Sequence, residues 1–178
     1  MEDPWSFEAA GYVRGMPVEF LSDEQAAAFG SFVDEPTRPE LERCFFLDDE
    51  DRKLIAKRRG DHSRLGFALQ MCTVRYIGLF LEDPLAVPWP VVGHLAAQLE
   101  IEDASQVKRY TERQMTAYEH AWEIREVYGY HPYEDHAQGR RFRAFLHGRA
   151  WTAHTEGPKA LFDHSVGWLR RNRVLRRG

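Results

Sequence analysis

The chain is poor in cysteine and has no long apolar run. Its two cysteines among 178 residues, Cys44 and Cys72, lie 28 positions apart and form no CxxC pair. This argues against a disulfide-rich scaffold and a cysteine zinc finger. No stretch approaches the roughly 18 consecutive apolar residues of a membrane-spanning helix. Residues 1–4 carry acidic side chains and no basic segment, so we expect no secretory signal, a reduced cytoplasmic protein and no membrane partner.

The sequence motifs of common enzymes are also missing. There is no GxxxxGK[ST] or GxGxxG phosphate loop and no GxSxG nucleophile elbow. The acidic run at residues 48–51 lacks the glycine and the ligand spacing of a calcium loop, and is interpreted as helix capping. The eight histidines show neither HExxH nor finger spacing. We therefore expect no catalytic residue, no metal and no cofactor in this chain.

Basic residues are scarce in most of the chain and concentrated near its end. The formal net charge is −4; residues 1–137 hold 26 acidic side chains and 14 Lys/Arg, whereas residues 138–178 hold 2 acidic side chains and 10 Lys/Arg. Two interpretations are open. The basic segment is either a solvated tail or a local surface that neutralises phosphates.

Hydrophobic residues recur at helical spacing, and no alternating strand pattern of useful length appears. The pattern predicts helices over residues 22–35, 48–59, 63–77, 91–99, 111–128 and 134–153, and a last helix from residue 157. Ser22 and Thr111 are predicted to open capping boxes. The segment 63–77 is apolar on most sides, which is typical of a central helix. We predict an all-α fold of two small bundles with helix-turn-helix-like elements, one over residues 1–102 and a second, basic one over residues 103–178.

Three groups of basic residues are candidate DNA contacts, because guanidinium groups bind phosphate through paired hydrogen bonds. The first brackets a glycine turn at residues 60–62, which would place Arg64 at the start of a DNA-reading helix; alternatively, Arg64 and Arg75 pair with acids such as those at residues 48–51. The second shares one face of the helix through residue 140, and the third ends the chain. The candidates in these groups are Lys57, Arg58, Arg59, Arg64, Arg140, Arg141, Arg143, Arg170, Arg171 and Arg173, and Arg113 is a further candidate outside them.

Several motifs occur in a fixed order along the chain. The segment at residues 59–70 reads RGDHSRLGFALQ and is followed by Arg-Tyr-x-Gly at residues 75–78 and by Gln-Leu at residues 98–99. A proline-containing lead precedes them at residues 16–21, and a spaced pattern follows at Tyr110, Arg113, Thr116, His120 and Ile124. Over roughly residues 16–174, this order resembles the amino-terminal domain of the Tn-three family of replicative transposases.

The resemblance implies a mainly helical domain that helps a transposase to grip the terminal inverted repeats of its transposon. The implied partners are double-stranded DNA and other transposase domains or a second copy, and the implied location is the cytoplasm, on the nucleoid when DNA is bound. The family's catalytic acids belong to a separate RNase H-like domain, so no chemistry is expected here. The alternative is an interaction module that orders the transposase assembly without binding DNA itself. Exposed Trp151 and Trp168 would favour that alternative, and a continuous basic groove would favour DNA. A stand-alone enzyme ranks third.

Overall fold

The computed structural model describes residues 31–32, 34–152 and 157–175. These residues form an all-α fold, as predicted, and the one β-type contact among them is a bridge between His131 and Val174. None of the described helices is both long and apolar enough to cross a membrane. The helices are α1 (Arg38–Cys44), α2 (Asp49–Ile55), α3 (Asp61–Ile77), α4 (Trp89–Gln98), a 3₁₀ helix (Ala104–Glu112), α5 (Gln114–Val127), α6 (His136–Thr152) and α7 (Gly157–Arg171).

Helix α3 is the centre of the fold, as its apolar sequence predicted. Leu65, Phe67, Leu69 and Met71 are all buried, and the helix packs against α1, α2, α4, the 3₁₀ helix and α5. A helix that is apolar nearly all round is stable only when neighbours cover every side. Helix α3 is therefore the surface on which these five elements are arranged.

The 3₁₀ helix replaces the predicted start of a regular helix at Thr111. In a 3₁₀ helix, side chains three positions apart eclipse one another. Val107 and Tyr110 are consequently both buried, and both face the core. Thr111 lies inside this element, and α5 begins only at Gln114 after an Arg113 that gives no side-chain cap. The predicted capping box at Thr111 is wrong.

Helix α1 was not predicted from the sequence. It begins with a capping box in which Glu40 accepts from the backbone of Thr37 at 2.8 Å. None of its seven residues is buried, so it shows no hydrophobic period. The predicted helix from Ser22 lies outside the described residues, except for residues 31–32 and 34–35, which are not helical.

The residues from 34 to 130 form one packed unit, which we call the bundle. Its buried cluster runs from Phe45 to Ile124, so residues on both sides of the predicted division at residue 102 share a core. Helices α6 and α7 pack mainly on each other. With residues 172–175 they form a unit that we call the hairpin.

The hairpin has its own small aromatic contact and is attached to the bundle at the end of α7 and just after it. Trp168 lies between Phe142 and Phe145, with ring centroids 5.2 and 5.9 Å away. His131, just after the bundle, forms a strand-like contact in which its N–H donates to Arg173 O at 2.8 Å and its carbonyl accepts from Leu175 N at 2.9 Å. Arg170 and Arg173 also donate to the bundle carbonyls of Ile77 and Tyr128. The basic helices are therefore held on the bundle mainly through the end of α7.

Candidate nucleic-acid interface

Arg58, a predicted DNA contact, is turned into the bundle. Its guanidinium pairs with Glu123 of α5 at 2.5 Å and lies 4.3 Å from the ring centre of Phe67. Only 13% of its side chain is exposed. Arg58 thus links the turn after α2 to both α3 and α5. Its neighbours Lys57 and Arg59 remain exposed.

Arg64 is also engaged within the protein. Its guanidinium donates to Asp61 Oδ1 at 3.0 Å and to Leu99 O at 3.2 Å, the second bond reaching the end of α4. Helices α2 and α3 do have helix-turn-helix order, but α3 is enclosed by its neighbours. The ion-pair interpretation therefore describes Arg64, with Asp61 as its partner rather than an acid at residues 48–51.

Arg75 forms the ion pair that was predicted across the bundle. It donates to both carboxylate oxygens of Asp51 at 3.0 Å, and Asp51 is 1% exposed. The hydroxyl of Tyr128 donates to the same carboxylate at 2.5 Å. Burial and this carboxylate both raise the pKa of Tyr128. Asp51 therefore connects α2 to α3 and to the end of α5.

The spaced motif after Tyr110 builds part of the core. The hydroxyl of Tyr110 lies 2.8 Å from Nδ1 of His120, which is buried and meets Phe67 edge-on at 5.0 Å between ring centroids. Burial, and secondarily the charge of Arg58, lower the pKa of His120 to about 4. His120 is therefore neutral at physiological pH and is hydrogen-bonded to Tyr110.

Two glutamines of the motifs join distant backbone segments. Gln98 donates to Phe45 O at 2.8 Å and accepts from Leu47 N at 2.9 Å. Gln70 donates to Ala117 O at 3.1 Å. The motif residues placed by these contacts support the fold of the bundle.

The hairpin carries several exposed arginines. Arg140 and Arg143 are exposed on α6, as is His147 on the same face, and Arg171 is exposed at the end of α7. Helix α6 contains no acidic residue. The exposed side chains at these positions are therefore positively charged or neutral, and Arg140, Arg143 and His147 share one face, as their spacing predicted.

The start of α6 contacts the segment that follows α7, and both segments carry basic side chains. Arg141 of α6 donates to Asn172 Oδ1 at 3.3 Å, just after α7. The start of α6 therefore lies beside the end of α7. We use the name basic face for the exposed arginines of these two segments, which are Arg140, Arg141, Arg143, Arg170, Arg171 and Arg173. Arg113, by contrast, is exposed on the bundle at the start of α5.

An apolar groove that the sequence did not predict lies beside α5. Its volume is about 830 Å³, and it lies between α5 and residues 80–84. Met115, Tyr118 and Trp122 line it and are each at least half exposed. Their spacing of three and four positions is visible in the sequence, but a buried apolar stripe has the same spacing. Trp151 is 80% exposed on α6, whereas Trp168 is packed in the hairpin.

Known proteins match most of this chain. A family described as a domain of unknown function, DUF4158, matches residues 20–178. The transposase of transposon gamma-delta from Escherichia coli K12 is 41% identical over 160 residues, which are 90% of this chain and 16% of that transposase. The transposase of Tn501 from Pseudomonas aeruginosa is 43% identical over 89 residues, 50% of this chain and 9% of that protein.

A more distant relative gives similar coverage. The transposase of Tn1546 from Enterococcus faecium is 27% identical over 159 residues, 88% of this chain and 15% of that protein. The chain thus spans less than a fifth of the length of these relatives. The resemblance found from motif order is confirmed. The chain belongs to the DUF4158 family, and it is an amino-terminal domain of the kind found in transposases of the Tn-three family.

Proposed function

We propose that this chain is a DNA-binding module of a Tn-three-like transposase, and that it binds double-stranded DNA at the terminal inverted repeats. The observation that carries the proposal is the basic face of the hairpin, with no acidic residue anywhere on α6. Exposed guanidinium groups suit phosphate oxygens, because their planar fork makes two charge-assisted hydrogen bonds.

The charge of the bundle supports the proposal that the hairpin, rather than the bundle, faces DNA. Residues 34–130 hold 18 acidic side chains and 13 Lys/Arg, and several of those arginines are paired within the fold. An acidic bundle is repelled by the phosphate backbone, whereas the basic face gains affinity by releasing counterions from it. DNA is therefore expected on the hairpin side of the molecule.

Helix α6 is the preferred DNA-contacting helix within this proposal. Helix α3 is enclosed in the bundle, so it cannot enter a groove without unfolding its surroundings. Exposed Ala144 and Gly148 on α6 have little or no side chain, which permits close approach to a phosphate backbone. We assign no catalytic step to these residues, because the proposal needs only positioning and charge.

A binding titration tests the proposal. The chain is titrated with a duplex carrying the transposon end and with a scrambled duplex of equal length, over a series of salt concentrations. Replacing Arg140 and Arg143 by glutamine should lower the slope of log affinity against log salt by about two. The control replaces Arg38 and Lys53, exposed residues of the bundle that pair with Glu42 and Glu50, and removes the same charge. An equal loss in both variants would show that net charge, not the basic face, governs binding.

A second candidate function is supported by the apolar groove and by exposed Trp151. Monomeric proteins seldom leave several large apolar side chains together in water, and such patches often bind other proteins. The module would then order the transposase assembly through α5. Replacing Tyr118 and Trp122 by serine should leave DNA affinity unchanged under the first proposal. Loss of self-association or of binding to the remainder of the transposase would favour the second.

A further inference from the structure

A basic cavity of about 430 Å³ lies where the bundle meets the hairpin. Its lining includes Arg75 of α3, Tyr128 and Tyr130 after α5, and Arg170 and Arg173 at the end of α7. The described residues that line it include no carboxylate. Arg75 lies almost 100 positions before Arg170 and Arg173 in the sequence, and the fold brings all three to one cavity.

Each guanidinium is held in position by the protein. Arg170 donates to Ile77 O at 3.1 Å, and Arg173 donates to Tyr128 O at 2.6 Å. Arg75 is held by Asp51 at 3.0 Å. Because a guanidinium has five N–H donors, each retains donors for a further acceptor. Side chains that are already ordered lose less entropy when they bind an anion.

The charge of the cavity stays positive after these contacts are counted. Asp51 offsets Arg75, but the partners of Arg170 and Arg173 are uncharged carbonyls. In the described part of the chain, no carboxylate forms an ion pair with Arg170 or Arg173. The helix ends that supply these carbonyls carry only partial negative charge. The cavity therefore favours an anion over a cation or a neutral group.

Tyr130, which also lines the cavity, adds a hydroxyl to the set of donors. Burial raises the pKa of Tyr130, so its hydroxyl stays protonated at neutral pH. Tyr130 is a neutral donor beside the fixed charges of Arg170 and Arg173. Guanidinium and hydroxyl donors of this kind suit the oxygens of a phosphate group.

We propose that this cavity binds a phosphate group of the DNA backbone and thereby fixes the hairpin on the bundle. The inference rests on the proposed DNA-binding function, but it concerns the junction rather than the outward part of the basic face. An anion held by Arg75 on one side and by Arg170 and Arg173 on the other ties the end of α7 to α3. Inorganic phosphate shares this chemistry and serves as the probe.

The first arm of the test uses inorganic phosphate and the full 178-residue chain. Phosphate should raise the melting temperature several degrees more than chloride at equal ionic strength. Arg173→Gln should lose this difference, and Tyr130→Phe should reduce it without changing charge. Arg171→Gln should keep it, because Arg171 is exposed and does not line the cavity. Comparing phosphate with chloride within each variant keeps the result interpretable even where a variant is less stable.

The second arm distinguishes free phosphate from a backbone phosphate. If DNA occupies the cavity, phosphate should weaken DNA binding by the wild-type chain more than chloride does, and this excess should vanish in Arg173→Gln. A phosphate-specific stabilisation without any effect on DNA binding would overturn the DNA source and leave a site for free phosphate. The same stabilisation in a chain that binds no DNA would overturn the proposed function and not the cavity. Equal melting temperatures in phosphate and chloride would overturn the site itself.

Discussion

The bundle and helix α6 of the hairpin place arginine in different surroundings. In the bundle, Arg58 and Arg75 turn inward onto Glu123 and Asp51 and connect helices. In the hairpin, Arg140 and Arg143 stand exposed on a helix without acids. The number of cations is therefore a poor guide to function in this chain. What separates structural charge from available charge is whether a partner lies within reach.

The two regions also differ in what holds them together. The bundle has a continuous buried cluster crossed by polar links, whereas the hairpin relies on a few aromatic contacts and on the end of α7. Substitutions inside the bundle should consequently change stability, and substitutions on the hairpin surface should change binding. Substitutions in the two regions test this division of roles.

The largest effect is expected at Gly66, in the middle of α3. A Cβ atom there would lie 2.2 Å from Cγ of Tyr110, and both residues are enclosed. Gly66→Ala should lower the free energy of unfolding by about 3 kcal/mol, because overpacking forces the ring and the 3₁₀ helix away from α3. Chemical denaturation measures this change.

Gly93 provides the matched control for that substitution. It is a helical glycine of α4 whose Cβ would meet nothing within 4 Å. Gly93→Ala should be neutral or stabilise the protein by up to about 1 kcal/mol, because alanine favours the helix. Similar losses in the two variants would show that the Tyr110 contact is not what limits position 66.

A smaller loss is expected when Asp51 loses its charge. Asp51→Asn leaves Arg75 without its carboxylate and weakens the bond from Tyr128, at a cost of about 2 kcal/mol after allowance for the partial exposure of Arg75. Asp49→Asn removes the same charge from an exposed position of α2 and should cost less than about 0.5 kcal/mol. Thermal unfolding of both variants at pH 7 compares them. Equal stabilities would mean that the buried link contributes nothing beyond helix capping.

The third effect depends on pH and comes from His120. Its pKa falls from an ordinary value of 6.5 in the unfolded chain to about 4 in the fold. Between these values the unfolded chain binds the additional proton, so stability is lost as pH falls through this window. The loss from this residue should be about 1.5 kcal/mol at pH 5.5 and negligible at pH 7.5.

Substitution by asparagine isolates the contribution of that histidine. His120→Asn keeps an acceptor for the Tyr110 hydroxyl but cannot titrate, so the decrease in stability from pH 7.5 to pH 5.5 should become shallower than in the wild type. His147→Asn alters an exposed histidine of the hairpin and should leave the decrease unchanged. An unchanged profile in the first variant would mean that protonation of His120 does not oppose folding.

Much of the fold could be predicted because helical period and caps are local properties. The all-apolar segment at residues 63–77 predicted a central helix, and Asp48 at the start of α2 predicted its cap. Helix α1 was missed because it buries no residue. A helical turn around Val107, capped by Asp103 or Ser105, was predicted, and Asp103 is the cap. The 3₁₀ geometry and its extent to Glu112 were not predicted, because they depend on the burial of Val107 and Tyr110 against α3.

In the candidate site, too, the features that depend on nearby residues could be predicted and those that depend on distant residues could not. The basic stripe of α6 follows from spacing alone. The partners of Arg58 and Arg64 lie 65 and 35 positions away, at Glu123 and Leu99, and no local pattern indicates them. The Asp61 partner of Arg64, three positions earlier, was visible in the sequence. The junction cavity depends on the approach of α7 to α3 and could not be predicted before that approach was known.

The smallest effects on stability, and the clearest separation of the two regions, are expected from Arg64 and Arg143. Arg64→Ala loses bonds to Asp61 and to the carbonyl of Leu99, which should cost about 1 kcal/mol of stability. Because these bonds already hold the guanidinium of Arg64, the Arg64→Ala chain should bind the transposon end with unchanged affinity and an unchanged salt slope. Arg143→Ala should alter stability by less than about 0.5 kcal/mol and lower the salt slope by about one, equally for the transposon end and the scrambled duplex. Unfolding curves give the stability change of each variant, and salt-dependent titrations give each salt slope.

If Arg64→Ala instead weakens binding to the transposon end more than to scrambled DNA, Arg64 leaves its partners to contact a base, and the start of α3 takes part in recognition despite the burial of the rest of that helix.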